Sequence, residues 1–221
     1  MKRSNKLTRA ARLFLVLATL MPCLSVSAAE KTTTAHAKTL SIGTQVWMAE
    51  NLAVSRYRNG DEIPQVQDAA EWNRLTTGAW CYYENNSANG VTYGKLYNWY
   101  AVNDPRGLAP EGWHVPSDNE WQMLVEKTGG EKASGTKLKS TLLWKEPLVG
   151  ADNSTGFTAI PAGYRSSNGT FSLLGTNSSF WTSSENNSYS AWFRQMYNTY
   201  SAVYRVSSTK TQGLSVRCIK N

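Results

Sequence analysis

Pro116-Ser117-Asp118-Asn119-Glu120-Trp121-Gln122-Met123-Leu124-Val125 carries the clearest helix start in this chain of 221 residues. Ser117 and Glu120 stand at the spacing of a capping box: the serine oxygen accepts from the Glu120 amide, and the glutamate reaches back to the amide that precedes the helix. Trp121, Leu124 and Val125 recur at helical period and are predicted to face inward, and Gly129-Gly130 supplies the stop. Beyond Gly130 no strong helical period returns. Short aromatic and β-branched runs take over, separated by Gly, Asn and Ser: Phe157–Ile160, Gly169–Phe171, Phe180–Ser183, Ser190–Arg194, Ala202–Arg205 and Leu214–Ile219. These read as strands and turns.

On the other side of the capped helix, Leu40, Ile42, Val46 and Trp47 surround a turn at Gly43, which predicts an edge hairpin or a strand joined to the C-terminus. Asp68-Ala69-Ala70-Glu71-Trp72 suits a short helix opened by Asp68. In residues 93–102, Tyr93, Leu96, Tyr97 and Tyr100 fall on one face of a second predicted helix, with core packing as their use. Helices early and antiparallel strands late make an α+β domain with much of its length in loops.

The first residues read as an export leader. Lys2, Arg3, Lys6, Arg9 and Arg12 precede an apolar run from Leu13 to Met21, too short for a permanent anchor. Ser25-Val26-Ser27-Ala28-Ala29 then offers a cleavage site after Ala28, so residues 1–28 are expected to be a signal peptide. Cys23 as a lipidated cysteine is the weaker reading, because Pro22 sits where a small flexible residue belongs. Residues 29–39, aperiodic Lys, Thr, Ala and His, read as a disordered spacer, and residues 40–221 as one domain. Cleavage would remove five of the 23 Lys+Arg and none of the 16 Asp+Glu, reducing the net charge from +7 to +2. The basic excess that would attract phosphates thus lies mainly in the leader, which disfavours nucleic acid as a partner. No transmembrane segment is expected in the mature chain.

Two cysteines, Cys81 and Cys218, remain after Cys23 leaves. In an oxidising compartment they are expected to pair, closing a loop worth roughly 4–5 kcal/mol in the chain-entropy picture; the alternative is two buried free thiols.

Five blocks in order carry a resemblance: Tyr93-Gly94-Lys95-Leu96-Tyr97-Asn98-Trp99; Gly112 to Trp121; Gly156-Phe157-Thr158-Ala159-Ile160-Pro161-Ala162-Gly163-Tyr164-Arg165; Phe180-Trp181-Thr182-Ser183-Ser184-Glu185; and Gly213-Leu214-Ser215-Val216-Arg217-Cys218. Together they resemble the Fibrobacter succinogenes major paralogous domain family from Ile42 to Lys220. The Pro-Ser-Asp-Asn-Glu-Trp helix start and the Gly-Leu-Ser-Val-Arg-Cys ending also resemble the formylglycine-generating enzymes. The resemblance implies a C-type-lectin-like fold: two helices on a twisted antiparallel sheet, termini meeting as neighbouring strands, and a long irregular region carrying any binding face. The copper-binding cysteine pair of those enzymes does not carry over, since Cys81 and Cys218 are far apart in sequence.

The remaining chemistry-bearing residues point away from catalysis. The mature chain has two histidines, His36 in the spacer and His114 between Trp113 and Val115, where a buried structural strand is expected. Two distant cysteines and one folded histidine do not make a zinc set. For calcium, Glu146-Pro147-Leu148 lacks the amide after proline and Trp72-Asn73-Arg74 puts a cation where an acid belongs; a structural ion held by Asp152, Asn153 and loop carbonyls is the alternative to no metal. Asp118 and Glu120 are the nearest carboxylate pair for glycoside hydrolysis, yet the capping box and the helix dipole account for both. No catalytic residue, metal or cofactor is therefore expected.

What stands out is an aromatic and amide-rich stretch from Tyr164 to Tyr204. Flat rings beside amides and guanidinium groups suit stacking on sugars or anchoring a protein. Tyr164, Arg165, Tyr189, Arg194, Tyr197 and Tyr200 are the candidate binding residues, with Trp181 and Trp192 assigned to the core. The expected function is an exported, non-catalytic binding or adhesion module of the bacterial cell envelope, secreted, periplasmic or surface-held, with a carbohydrate or protein ligand. An enzyme of another type and a purely structural envelope component are the rival readings.

Overall fold

In a computed structural model, which describes residues 38–221, Gly43 reverses the chain at φ +63° between β1 (Thr39–Ile42) and β2 (Gln45–Met48). Glycine takes that left-handed conformation without a steric penalty. The leader, and the spacer up to residue 37, lie outside the described residues. Asp68 opens α1 (Ala69–Asn73), accepting the Glu71 amide at 2.7 Å. Strand β3 (Trp80–Cys81), a single 3-10 turn (Tyr83–Asn85) and α2 (Ser87–Tyr93) follow.

Residues 93–102 do not form the single helix that their aromatic spacing predicts. Gly94, at φ +76°, ends α2; Leu96–Tyr97 then forms β4 against β3, and a one-turn α3 (Trp99–Val102) begins afresh. The cause is Asn98, whose side-chain oxygen accepts the amides of both Ala79 and Ala101 at 3.0 Å. An N-cap of this kind starts a helix and so interrupts one that would otherwise run through it.

Strand β5 (Trp113–His114) leads into α4 (Asp118–Lys127), where both halves of the predicted capping box are present. The Glu120 amide donates to Ser117 Oγ at 3.2 Å and the Ser117 amide to Glu120 Oε2 at 2.7 Å. Trp121, Leu124 and Val125 are buried, and Gly129 and Gly130 follow the helix at φ +117° and +80°. A short α5 (Ser134–Leu138) was not expected. It packs through its backbone: a Cβ on Gly135 would sit 2.5 Å from the Ser201 carbonyl oxygen, so no apolar stripe announces it.

A β6–β7 ribbon (Tyr164–Arg165, Phe171–Ser172) precedes the largest antiparallel unit, formed by β8 (Asn177–Glu185), β9 (Ser190–Tyr197) and β10 (Tyr204–Thr209) in the order β10-β9-β8. The C-terminal strand β11 (Ile219–Lys220) lies between β2 and β5, with Ile219 opposite Trp47 and His114. The two ends of the domain therefore meet as neighbouring strands, and the architecture is α+β. Phe157–Ile160 contributes only a bridge from Ala159 to Lys139, not a full strand.

The consecutive residues Phe180 and Trp181 are both fully buried. Alternation along β8 sends them to opposite faces. Phe180 joins Trp47, Trp121 and Phe157 in one aromatic core beside α4, and Trp181 joins Tyr97, Trp99, Phe193 and Leu214 in the other. The sheet is thus covered on both sides, and a third, smaller cluster surrounds Trp72, Tyr83 and Leu96.

The expected disulfide is not formed. Cys81 lies in the cluster with Trp72 and Leu96, whereas Cys218 lies in the core with Tyr97 and Val216, and both are buried free thiols. The reason is geometric: β3 directs Cys81 toward Arg165, away from the core that receives Cys218. Burial pushes both thiols up to about 12, outweighing the nearby guanidinium groups of Arg165 and Arg217.

Among the described residues no helix is long and apolar enough to cross a membrane.

Candidate ligand-binding face

The six candidate binding residues divide by burial. Arg165 and Arg194 are fully buried and serve the framework. Arg165 donates to the carbonyls of Gly169, Val66 and Gln67 at 3.1, 2.7 and 2.8 Å and lies over the Trp72 ring, which ties the loop before α1 to the β6–β7 ribbon. Arg194 reaches from β9 to the start of α4, donating to the Asp118 carbonyl and carboxylate at 3.0 and 2.9 Å. Neither guanidinium is offered to a ligand.

The tyrosines behave differently. Tyr197 ends β9, Tyr204 begins β10, and Tyr200 lies in the turn between them. Their ring centroids are 6.1 to 6.4 Å apart, with interplanar angles from 67° to 89°. Such edge-to-face contact is the favoured arrangement for aromatic pairs. It fixes the rings while leaving Tyr200 55% and Tyr204 38% exposed. Tyr204 was not among the predicted site residues, although its stretch was.

Tyr164 approaches from β6, which meets β8 through a parallel bridge between Gly163 and Ser178. Burial, and then the phenols of Tyr164 and Tyr204, push the Tyr197 phenol above its ordinary range. Along the same face Gln195 donates to Ser179 Oγ at 3.2 Å and Ser179 to Asn177 Oδ1 at 2.8 Å. These three side chains are buried, so the polar seam lies beneath the tyrosines and ties β8 to β9. Tyr189, 80% exposed, is at the tip of the β8–β9 hairpin, roughly 25 Å away along β9 at strand rise, and does not join them.

A lysine invisible to sequence reasoning holds this turn. Lys139 is fully buried, and its ammonium donates to the carbonyls of Val149, Tyr197 and Tyr200 at 2.6, 3.0 and 2.8 Å. Its sequence surroundings carry no signal, because the partners are backbone carbonyls in two distant loops. Of the two tryptophans assigned to the core, Trp181 is fully buried, while Trp192 is half-buried beneath the Arg205 guanidinium, 3.4 Å from its ring centroid.

The acid pair at the start of α4 is engaged internally. Asp118 meets Arg194 at 2.9 Å and Arg205 at 2.8 Å. Glu120 Oε1 meets His114 Nε2 at 2.8 Å, and the other ring nitrogen of His114 meets Asn221 at 2.8 Å. His114 is on a strand as expected but half-exposed rather than buried. Asp152 caps the Ser154 amide and Asn153 exchanges hydrogen bonds with Thr158. Among the described residues no three His, Cys, Asp or Glu side chains come together as a metal set.

A family model described as the Fibrobacter succinogenes major domain matches residues 40–220. No match was found among curated proteins or among solved structures.

Proposed function

The chain belongs to the Fibrobacter succinogenes major domain family, and from that premise we propose that it is an exported, non-catalytic carbohydrate-binding module of the bacterial cell envelope. The proposal includes the C-type-lectin-like arrangement, with the irregular segments and the β9–β10 turn supplying the recognition surface. The carrying observation is the Tyr197–Tyr200–Tyr204 cluster, in which Tyr200 and Tyr204 stay open to solvent. Rings give flat stacking area at a small entropic penalty, and their phenol hydroxyls give donors and acceptors for sugar hydroxyls. A shallow, preorganised face of this kind recognises a polymer surface and has no means of excluding water around a reacting bond.

A glycan and polysaccharide array probed with the exported protein, with and without chelator, tests the reading. Binding to a defined glycan class is expected to survive chelation and to weaken about tenfold in Tyr200→Ala, the loss typical of a truncated aromatic anchor. Silence across the array would remove carbohydrate as the ligand and leave a protein partner; loss of binding on chelation would overturn the metal-free site.

A further inference from the structure

The sheet β10-β9-β8 is treated differently at its two outer edges. Along β8 the outward backbone groups are taken within the chain. Asn177 O accepts the Gly163 amide at 2.9 Å and Ser179 O the Ser215 amide at 3.1 Å, while the amides of Trp181 and Ser183 donate to Ser215 O at 3.1 Å and Pro116 O at 2.9 Å. Along β10 the outward groups are left over. The Lys210 amide donates to Tyr189 O at 3.1 Å, which sets the alternation of the ladder. Tyr204, Val206 and Ser208 therefore turn their N–H and C=O groups to β9, and Arg205, Ser207 and Thr209 turn theirs outward. Among the described residues, only Thr209 O in this outward row has a backbone partner, the Gln212 amide at 3.0 Å.

An open row of this kind is a template for another strand, and chains that avoid such pairing blunt it with proline, a bulge or a projecting charge. Strand β10 has none of these. It contains no proline, and its register against β9 runs without a shift from Tyr204 to Thr209. Its one charged side chain, Arg205, lies over the Trp192 ring at 3.4 Å and is held by Asp118 at 2.8 Å, so it does not guard the edge.

We propose that β10 is a dimerisation edge, to which a second copy of this chain adds its own β10 in antiparallel register about a two-fold axis at Ser207. The occupant follows from self-complementarity, which a two-fold interface requires. With the axis there, Ser207 exchanges N–H···O=C bonds with its counterpart, and Arg205 does the same with Thr209 in both directions; a carbonyl has two lone pairs, so Thr209 O keeps its bond to Gln212. An axis at Arg205 would set two guanidinium groups opposite each other, which is destabilising. At Ser207 each arginine faces a threonine instead, and only Val206, Ser207 and Ser208 stand around the axis. A peptide from another protein would need pockets for its alternate side chains, and the grooves around Gln45, Asn51, Asn103, Trp80 and Asn221 include no residue of β10. An axis perpendicular to the sheet keeps both tyrosine clusters on one side, with the two Tyr204 residues roughly 20 Å apart at strand rise. One polymer chain then meets both clusters, which raises avidity without new contacts; this consequence rests on the carbohydrate reading, and the dimer does not.

Sedimentation velocity of the exported protein from about 1 µM to 1 mM tests the edge, and dimer is expected to replace monomer within that range. Ser207→Pro removes an outward N–H that no bond inside the chain uses, at an edge position that tolerates proline. It is expected to weaken the dimer about tenfold, through the bonds lost on both sides of the axis, and to leave the Tm of the dilute monomer unchanged. Ser207→Lys and Ser207→Glu keep every backbone group and give a readout that holds whether or not the proline variant folds. Each alone is expected to stay monomeric where the native chain dimerises, because like charges then meet at the axis, and an equimolar mixture is expected to restore the dimer. A native chain that stays monomeric throughout would overturn the proposal and leave the edge to an extended segment of another protein. A dimer indifferent to these substitutions, or a mixture that does not reassemble, would overturn it as well. Absence of glycan binding by an intact dimer would sink the tyrosine reading alone and leave the edge standing.

Discussion

Lys95 and Lys139 are lysines whose ammonium groups lie inside the molecule away from any carboxylate. Lys95 rests on the face of Trp80, 3.5 Å from its centroid, and Lys139 on three carbonyls. Burial lowers both from 10.5 to about 8. The sign follows from proton counts: between about 8 and 10.5 the unfolded chain keeps these two protons and the folded chain has released them. Stability therefore rises with pH across that window, the reverse of the usual paired lysine. Cys81 and Cys218, which burial raises to about 12, take stability away above their unfolded value of 9.0, and Tyr57 does so above 10.0, so the interval from 8 to 9 is the one to measure. Urea midpoints are expected to climb over that interval in the native sequence, and Lys95→Met, which keeps the length and the contact with the ring, is expected to flatten the climb. A midpoint that falls from pH ~8 to pH ~9 would refute the uncompensated burial of these charges.

At the scale of the element, α4 is where sequence and structure agree most closely, because the capping box is local: four residues contain all of its donors and acceptors. Burial alone would raise the Glu120 carboxyl, but the Ser117 amide, His114 and the Ser117 hydroxyl outweigh it and hold the group below 4.5. A depressed carboxyl contributes stability that is present above 4.5 and is lost as pH falls through its folded value. Ser117→Ala is expected to cost about 1 kcal/mol near neutral pH, and Glu120→Gln to flatten the acid limb of a midpoint-against-pH curve; an unchanged limb would mean that the carboxylate does not anchor this helix. The same locality explains the miss at residues 93–102. Tyr93, Leu96, Tyr97 and Tyr100 satisfy the helical period, but the deciding contact is Asn98 with Ala79, nineteen positions away, and no local pattern reports it.

For the whole molecule, legibility depends on which contacts cross the chain. The hairpin at Gly43 and the meeting of the ends through β2 and β11 could be anticipated from residues and resemblance. The aromatic and amide-rich stretch from Tyr164 to Tyr204 was legible as a composition, but a sheet covered on both faces buries rings and guanidinium groups that alternation alone would expose, and so Arg165 and Arg194 became framework. The cysteines follow the same logic. Export argued for a cross-link, yet the fold assigns Cys81 and Cys218 to separate apolar clusters, and stability must come from those clusters without a bridge. With both thiols raised to about 12, the thiolate that attacks reagents is scarce at neutral pH and screened from solvent. The native protein is therefore expected to leave an aromatic disulfide reagent unreduced at Cys81 and Cys218, to release those two equivalents of thiol only after denaturation, and to show the same intact mass with and without prior reduction. A gain of two mass units on reduction would restore the bridge and require β3 to present Cys81 to the other core.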